Sequence, residues 1–161
     1  MKNRLSLVLL ILLSVSVCSC HTDTETNSQA VKDTILRYNQ LLAEGYANMN
    51  MSPLREVATA DQAGKEYRHM AALGEAKIKM EAALKSVEFV GIVVSRDGTA
   101  SAITKEVWDY THLLVRTRTQ VAKQKDVVYA LKYELKKENS RWRVASIETI
   151  DQKESSSRQA N

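Results

Sequence analysis

Val87-Glu88-Phe89-Val90-Gly91-Ile92-Val93-Val94 is followed, after Ser95, by Arg96-Asp97-Gly98-Thr99 and then by Ala100-Ser101-Ala102-Ile103-Thr104-Lys105-Glu106-Val107-Trp108. The first run is dense in β-branched and aromatic residues, and such residues suit a pleated, half-buried surface. Asp97-Gly98 supplies the positive-φ positions of a tight hairpin turn. The second run continues to Leu114 as a long strand. Side chains alternate along a strand, so Ala102, Thr104, Glu106, Trp108 and Tyr110 share one side, and Ile103, Val107 and Leu113 take the other.

The same period of two returns further on. Val127 to Lys137 places Tyr129, Leu131, Tyr133 and Leu135 on one face and Lys132, Glu134 and Lys136 on the other. That alternation is the mark of an antiparallel strand with one wet side. Between the two, Arg116 to Asp126 is polar and reads as a wide loop or a frayed strand end. Glu138-Asn139-Ser140 is a turn, and Trp142 to Ile150 closes the sheet.

Before Val87 the period is helical. Val31, Ile35, Tyr38, Leu42 and Tyr46 recur three or four residues apart and make one apolar face. Asn27 or Ser28 suits the N-cap, and Asn48 and Asn50 end the element. Ser52-Pro53 opens a short helix over Leu54 to Ala58, with proline where its missing N–H costs nothing. Asp61 can cap a longer helix reaching to about Lys85, with Tyr67, Met70, Ala71, Gly74, Ile78 and Leu84 along its face. Helices first and four meandering strands after predict an α+β fold, a curved four-stranded antiparallel sheet with the N-terminal helices packed on its concave face.

These elements resemble the NTF2-like superfamily, also called SnoaL-like or cystatin-like. The resemblance is carried by the N-terminal helix, the Asp-Gly hairpin, Glu106-Val107-Trp108-Asp109 in a long strand and the closing Arg141-Trp142-Arg143-Val144 with Ile147. It covers residues 29–150. A cystatin-type or other sheet-on-helix domain is the competing reading. The resemblance implies a cone between helices and sheet, with Tyr38, Tyr67, Glu106, Trp108, Tyr110 and Tyr129 as candidate pocket lining. The ketosteroid-isomerase branch works with a tyrosine and aspartates in that cone. Here Asp109 alternates away from Glu106, so no acid–base pair is evident and no catalytic set is named.

The start of the chain points to export. Lys2 and Arg4 precede the apolar run Leu5 to Leu13, which is too short to span a bilayer, and small residues follow it. Ser19 stands before Cys20 and Val17 three before it, which resembles the lipobox of bacterial lipoproteins. Cys18 follows the bulkier Val17 and fits less well. The lipobox resemblance implies cleavage of residues 1–19, a diacylglyceryl thioether on Cys20 and an acylated amine, with palmitate among the expected chains. Two or more acyl chains anchor stably where one does not. His21 replaces the Asp of an inner-membrane retention mark, which leans towards the outer membrane, facing the periplasm. Residues 20–28 are small and polar and read as a lipidated flexible tether; residues 151–161 read as a disordered tail.

Of 161 residues, 142 remain after that cut, enough for one core. The formal charge of +4 includes Lys2 and Arg4, so the mature chain carries about +2 and gives no argument for nucleic acid. Both cysteines lie at or before the cut, so the domain holds no disulfide, no thiol nucleophile and no cysteine metal ligand. His21, His69 and His112 form no pair at metal-ligand spacing, and His69 reads as a surface residue. No metal and no cofactor are expected. Arg116, Arg118, Lys123 and Lys125 form a basic strip that reads as a solvated edge. Three functions follow. The first is a non-catalytic, membrane-tethered module that binds an envelope protein or peptide, or a second copy of itself. The second is a pocket for a small apolar ligand. The third, ranked last, is an isomerase- or dehydratase-like enzyme. An open cavity favours the second, and a filled cone with an exposed apolar sheet face favours the first.

Overall fold

The computed structural model describes residues 20–150, with side chains from Glu25 onward. The expected signal peptide (1–19) and C-terminal tail (151–161) lie outside the described residues. The chain runs α1 (Cys20–Asn48), a 3-10 turn (Ser52–Glu56), α2 (Ala60–Glu75), β1 (Ile78–Val94), β2 (Thr99–Leu114), β3 (Gln120–Glu138) and β4 (Arg141–Thr149). The four strands pair in sequence order, each antiparallel to the next. This is the expected α+β architecture. Among the described residues no helix is long and apolar enough to cross a membrane.

The core lies between the helices and one sheet face. Val31, Ile35 and Tyr38 of α1 are fully buried. They form one buried cluster with Ala100 and Ala102 of β2, Tyr133 and Leu135 of β3 and Trp142 and Val144 of β4, and Thr104, Glu106 and Trp108, the next alternate residues of β2, are buried as well. Register shifts bend the strands, between Leu84 and Ser86 and between Phe89 and Gly91 in β1, and between Trp108 and Tyr110 and between His112 and Leu113 in β2. Leu113, expected on the side of Ile103 and Val107, is buried, next to the register shift between His112 and Leu113.

Several boundaries differ from expectation. Segment 20–28 is not an irregular tether in this structure: α1 begins at Cys20. Extending an existing helix avoids the nucleation cost, and Asp23 and Glu25 fall near its N-terminus, where negative charge suits the helix dipole. Asn27 is therefore no N-cap, and its side-chain oxygen accepts a 2.8 Å hydrogen bond from Lys137 Nζ. The proline-led turn is 3-10, and Ala58 instead bridges Val144 as a parallel partner. Thr59, not Asp61, caps α2: its hydroxyl accepts from the Gln62 N–H at 3.3 Å.

The largest difference is the end of α2. The helix stops at Glu75, Lys77 turns left-handed with φ 60°, and Ile78–Leu84 pairs with Trp108–Leu114. Ile78 and Leu84 fit a helical stripe, but Ile78, Met80, Ala82 and Leu84 fit a period of two as well, and the strand wins because β2 offers it a complete ladder. The polar stretch likewise joins the sheet, since β3 starts at Gln120 and the reversal is confined to residues 115–119. At the other end of the sheet, only Gly98 of Asp97-Gly98 has positive φ (83°), and Ser95 N–H donates to Thr99 O at 2.9 Å. The turn is thus a four-residue reversal closed by a left-handed glycine.

Candidate functional site

A cavity of about 340 Å³ opens between α1, α2 and the covered face of the sheet. Its residues come from every long element. Tyr38, Leu42 and Tyr46 follow the apolar stripe of α1, Glu66 and His69 sit three apart on α2, and Glu106, Trp108 and Tyr110 alternate along β2.

Glu106 is the polar centre of the wall and has no exposed surface. Its Oε1 accepts from Tyr133 Oη at 2.7 Å, Thr104 Oγ1 at 3.0 Å and Asn39 Nδ2 at 3.1 Å. Its Oε2 accepts from Trp108 Nε1 at 2.8 Å. Four donors converge on one acceptor-only group, which is how a buried carboxylate is satisfied without a counter-ion. Tyr133 Oη also reaches Asn39 Oδ1 at 3.1 Å, so β2, β3 and α1 meet at this side chain.

A second carboxylate lies across the cavity. Glu66 Oε1 accepts from Gln62 Nε2 at 2.9 Å and Tyr38 Oη at 3.3 Å, and Oε2 accepts from Tyr46 Oη at 3.0 Å. Tyr46 Oη is also 2.6 Å from His69 Nδ1, with the two rings edge to face. Burial first, and then the negative charge of Glu66, pushes the hydroxyls of Tyr38 and Tyr46 far above the ordinary tyrosine range. Burial and then Glu106 do the same to Tyr133. Tyr110 is raised by burial and by Tyr129. These phenols are therefore proton donors in hydrogen bonds and poor proton acids.

The remaining wall is aromatic. Trp108 stacks on Tyr110 with centroids 6.1 Å apart, and Tyr110 meets Tyr129 edge to face at 6.4 Å. Leu42, Met80, Leu131 and Ile147 supply apolar surface, and His112 lines the same space with its buried Nδ1 unpartnered.

Of the six residues expected to line a cone, Tyr38, Glu106, Trp108, Tyr110 and Tyr129 surround this cavity. Tyr67 does not. It is 57% exposed and turns to solvent, one helical step from the inward Glu66. Glu66, Tyr46, Tyr133, Asn39 and His112 also line the cavity and were not expected there, and His69 lines it while remaining exposed, as expected of a surface residue. One signal was available: Gln62, Glu66 and His69 form a polar stripe at i, i+4 and i+7 that continues into the buried Met70 side of α2. Asp109 faces away, accepting from the Asp126 N–H at 2.8 Å. Among the described residues no group of three His, Cys, Asp or Glu side chains could hold a metal ion. In the basic strip, Arg118 pairs with Glu81 at 2.8 Å.

Solved structures share this architecture. The intermembrane space region of the chloroplast protein ARC6 is similar over 76% of this chain and 95% of its own, with a TM-score of 0.68 and 13% identity. A periplasmic fragment of TraM is similar over 74% and 97%, with a TM-score of 0.53 and 10% identity. A protein from Catenulispora acidiphila is similar over 81% and 98%, with a TM-score of 0.51 and 9% identity. The likeness is one of fold. No protein-family model matches the sequence, and no curated protein matches it.

Proposed function

We propose that this chain is an exported lipoprotein, anchored in the cell envelope through acylated Cys20, whose domain holds a small ligand in the cavity without transforming it. The observation that carries the reading is the cavity itself: about 340 Å³, mostly aromatic and aliphatic, with a few convergent polar groups. Ligand pockets have that size and composition. The sequence ranked a protein-binding module first, and an open cone tips the balance to a ligand. The TraM fragment is described as periplasmic and the ARC6 region as lying in an intermembrane space, which fits an envelope placement; the lean towards the outer membrane rests on His21 alone.

The non-catalytic reading draws on the site's chemistry. Glu106 is saturated by four donors, and the buried tyrosines hold their protons tightly. The test is native mass spectrometry of the protein released from membranes in mild conditions. A bound small molecule of defined mass, lost on filling the cavity with Ala82→Trp, supports the reading. A bare chain whose melting temperature no compound in a metabolite panel raises overturns it.

A second reading, a module for an envelope protein or for a second copy, is favoured by one observation. The outer sheet face exposes Val90, Val93, Ile103 and Val128. Crosslinking in membranes followed by capture decides it: a defined partner that Ile103→Lys abolishes supports this reading, and an unchanged blank removes it.

A further inference from the structure

The two carboxylates of the cavity have no cationic partner. Among the described residues no Lys, Arg or His lies within ion-pair distance of Glu66 or Glu106. Every group that hydrogen-bonds them is neutral: Thr104, Asn39, Tyr133 and Trp108 at one, and Gln62, Tyr38 and Tyr46 at the other. Neutral donors satisfy the lone pairs and bring no compensating positive charge. Lys65 is the one Lys or Arg among the described lining residues, and it lies at the exposed rim.

The aromatic arc adds to the same field. A ring face is the negative part of the aromatic quadrupole, and a cation within about 6 Å of a ring centroid is attracted to it, most strongly by tryptophan. Trp108 stacks on Tyr110 and Tyr110 meets Tyr129 edge to face, so the three rings form one continuous aromatic wall of the cavity. An anion in the cavity would meet Glu66, with Glu106 just behind the aromatic wall. A neutral molecule would drive water away from the partly exposed Glu66 and return nothing, which is costly in a low-dielectric space. A bare metal ion would lack the ligand set.

We propose that the cavity selects an organic cation, a quaternary or protonated amine carried on an apolar body. The ammonium lies against Glu66 and the Tyr110–Tyr129 end of the aromatic wall, with Glu106 acting from behind that wall, and the body lies against Leu42, Met80 and Leu131. This inference rests on the cavity being a ligand site. The raised hydroxyls of Tyr38, Tyr46 and Tyr133 agree with it, since the carboxylates' field acts on them beside burial.

The test keeps shape constant and changes charge. Benzyltrimethylammonium, its carbon isostere neopentylbenzene and the anion phenylacetate are titrated into the full chain held in lipid nanodiscs, with the Trp108 indole signal followed by NMR. The cation is expected to bind about tenfold tighter than the isostere, and phenylacetate weakest. Glu66→Gln is expected to narrow the gap between cation and isostere. Tyr129→Leu removes a ring outside the carboxylate network and serves if Glu66→Gln unfolds; it too narrows the gap while isostere binding holds. Equal binding of cation and isostere, or tighter binding of phenylacetate, overturns the inference and leaves the ligand site standing. No movement of the Trp108 signal with any probe overturns both.

Discussion

The Tyr133 hydroxyl donates to Glu106 Oε1 at 2.7 Å, tying β3 to β2 inside the covered face of the sheet. The bond joins residues 27 apart in sequence and both are buried to within 1% of fully. Removing the hydroxyl leaves a buried acceptor short of one donor. Tyr133→Phe is expected to lower stability by about 1–3 kcal/mol, the range for leaving a buried acceptor short of a donor. Glu106→Gln turns one oxygen into a donor that must face Trp108 Nε1–H or the Tyr133, Thr104 and Asn39 donors, and is expected to cost at least as much. Urea unfolding, with the slope held constant between variants, measures both.

Trp108 is 4% exposed and donates to Glu106 while stacking on Tyr110. Trp108→Ala removes the largest ring of the wall and is expected to destabilise by about 3–5 kcal/mol. Trp108→Phe keeps much of the packing but strips Oε2 of its donor, and a smaller loss of about 1–3 kcal/mol is expected. An unchanged melting temperature in Trp108→Ala would refute its place in the core.

Four of the six tyrosines, Tyr38, Tyr46, Tyr110 and Tyr133, are held protonated far above the ordinary range. Their folded pKa lies above the unfolded value of about 10. The folded state therefore keeps protons that the unfolded chain releases, and stability is intact below about pH 10 and falls as pH rises beyond it. Phenolate absorbance at 295 nm for these four is expected to appear together with loss of the far-ultraviolet sheet signal. Phenolate formation at any of these four in a folded chain at pH 11 would contradict it.

Asp97 behaves in the opposite sense. Hydrogen bonds from the Thr99 hydroxyl at 2.7 Å and the Thr99 N–H at 3.0 Å hold its carboxyl below the usual range. What it adds to stability is present above about pH 3.9, the unfolded value, and is lost as pH falls through the lower folded one. Carbon-detected NMR of the Asp97 carboxyl should give a midpoint below that of an unfolded peptide, and Thr99→Val should raise it.

If acylated Cys20 is the anchor, Cys20→Ala is expected to move the protein from the membrane to the soluble fraction, whereas Cys18→Ala leaves it in place. Metabolic labelling with an alkynyl fatty acid reads the same difference. Helix α1 begins at Cys20, so the acyl chains would join the domain through helix and not through loose chain. Inserting a Gly-Ser segment after Cys20 is expected to leave fractionation unchanged.

The period of two in Val87–Val94, Ala100–Leu114 and Val127–Leu135 determined the sheet by itself, because alternation of apolar and polar residues is a local property. The same holds for the stripe Val31, Ile35, Tyr38 and for the turn at Gly98, where a left-handed backbone needs a residue without Cβ. Five of the six expected lining residues were legible for that reason. Tertiary structure decided the rest. Ile78–Leu84 satisfies both helical and extended spacing, and only the ladder offered by Trp108–Leu114, some 30 residues away, makes it a strand. Tyr67 and Glu66 are chain neighbours, and which one faces inward depends on how α2 rolls onto the sheet. Glu106 carries one charge in any sequence reading; that four donors from three elements converge on it, and that a second unpaired carboxylate shares its cavity, is set by contacts between residues far apart in the chain.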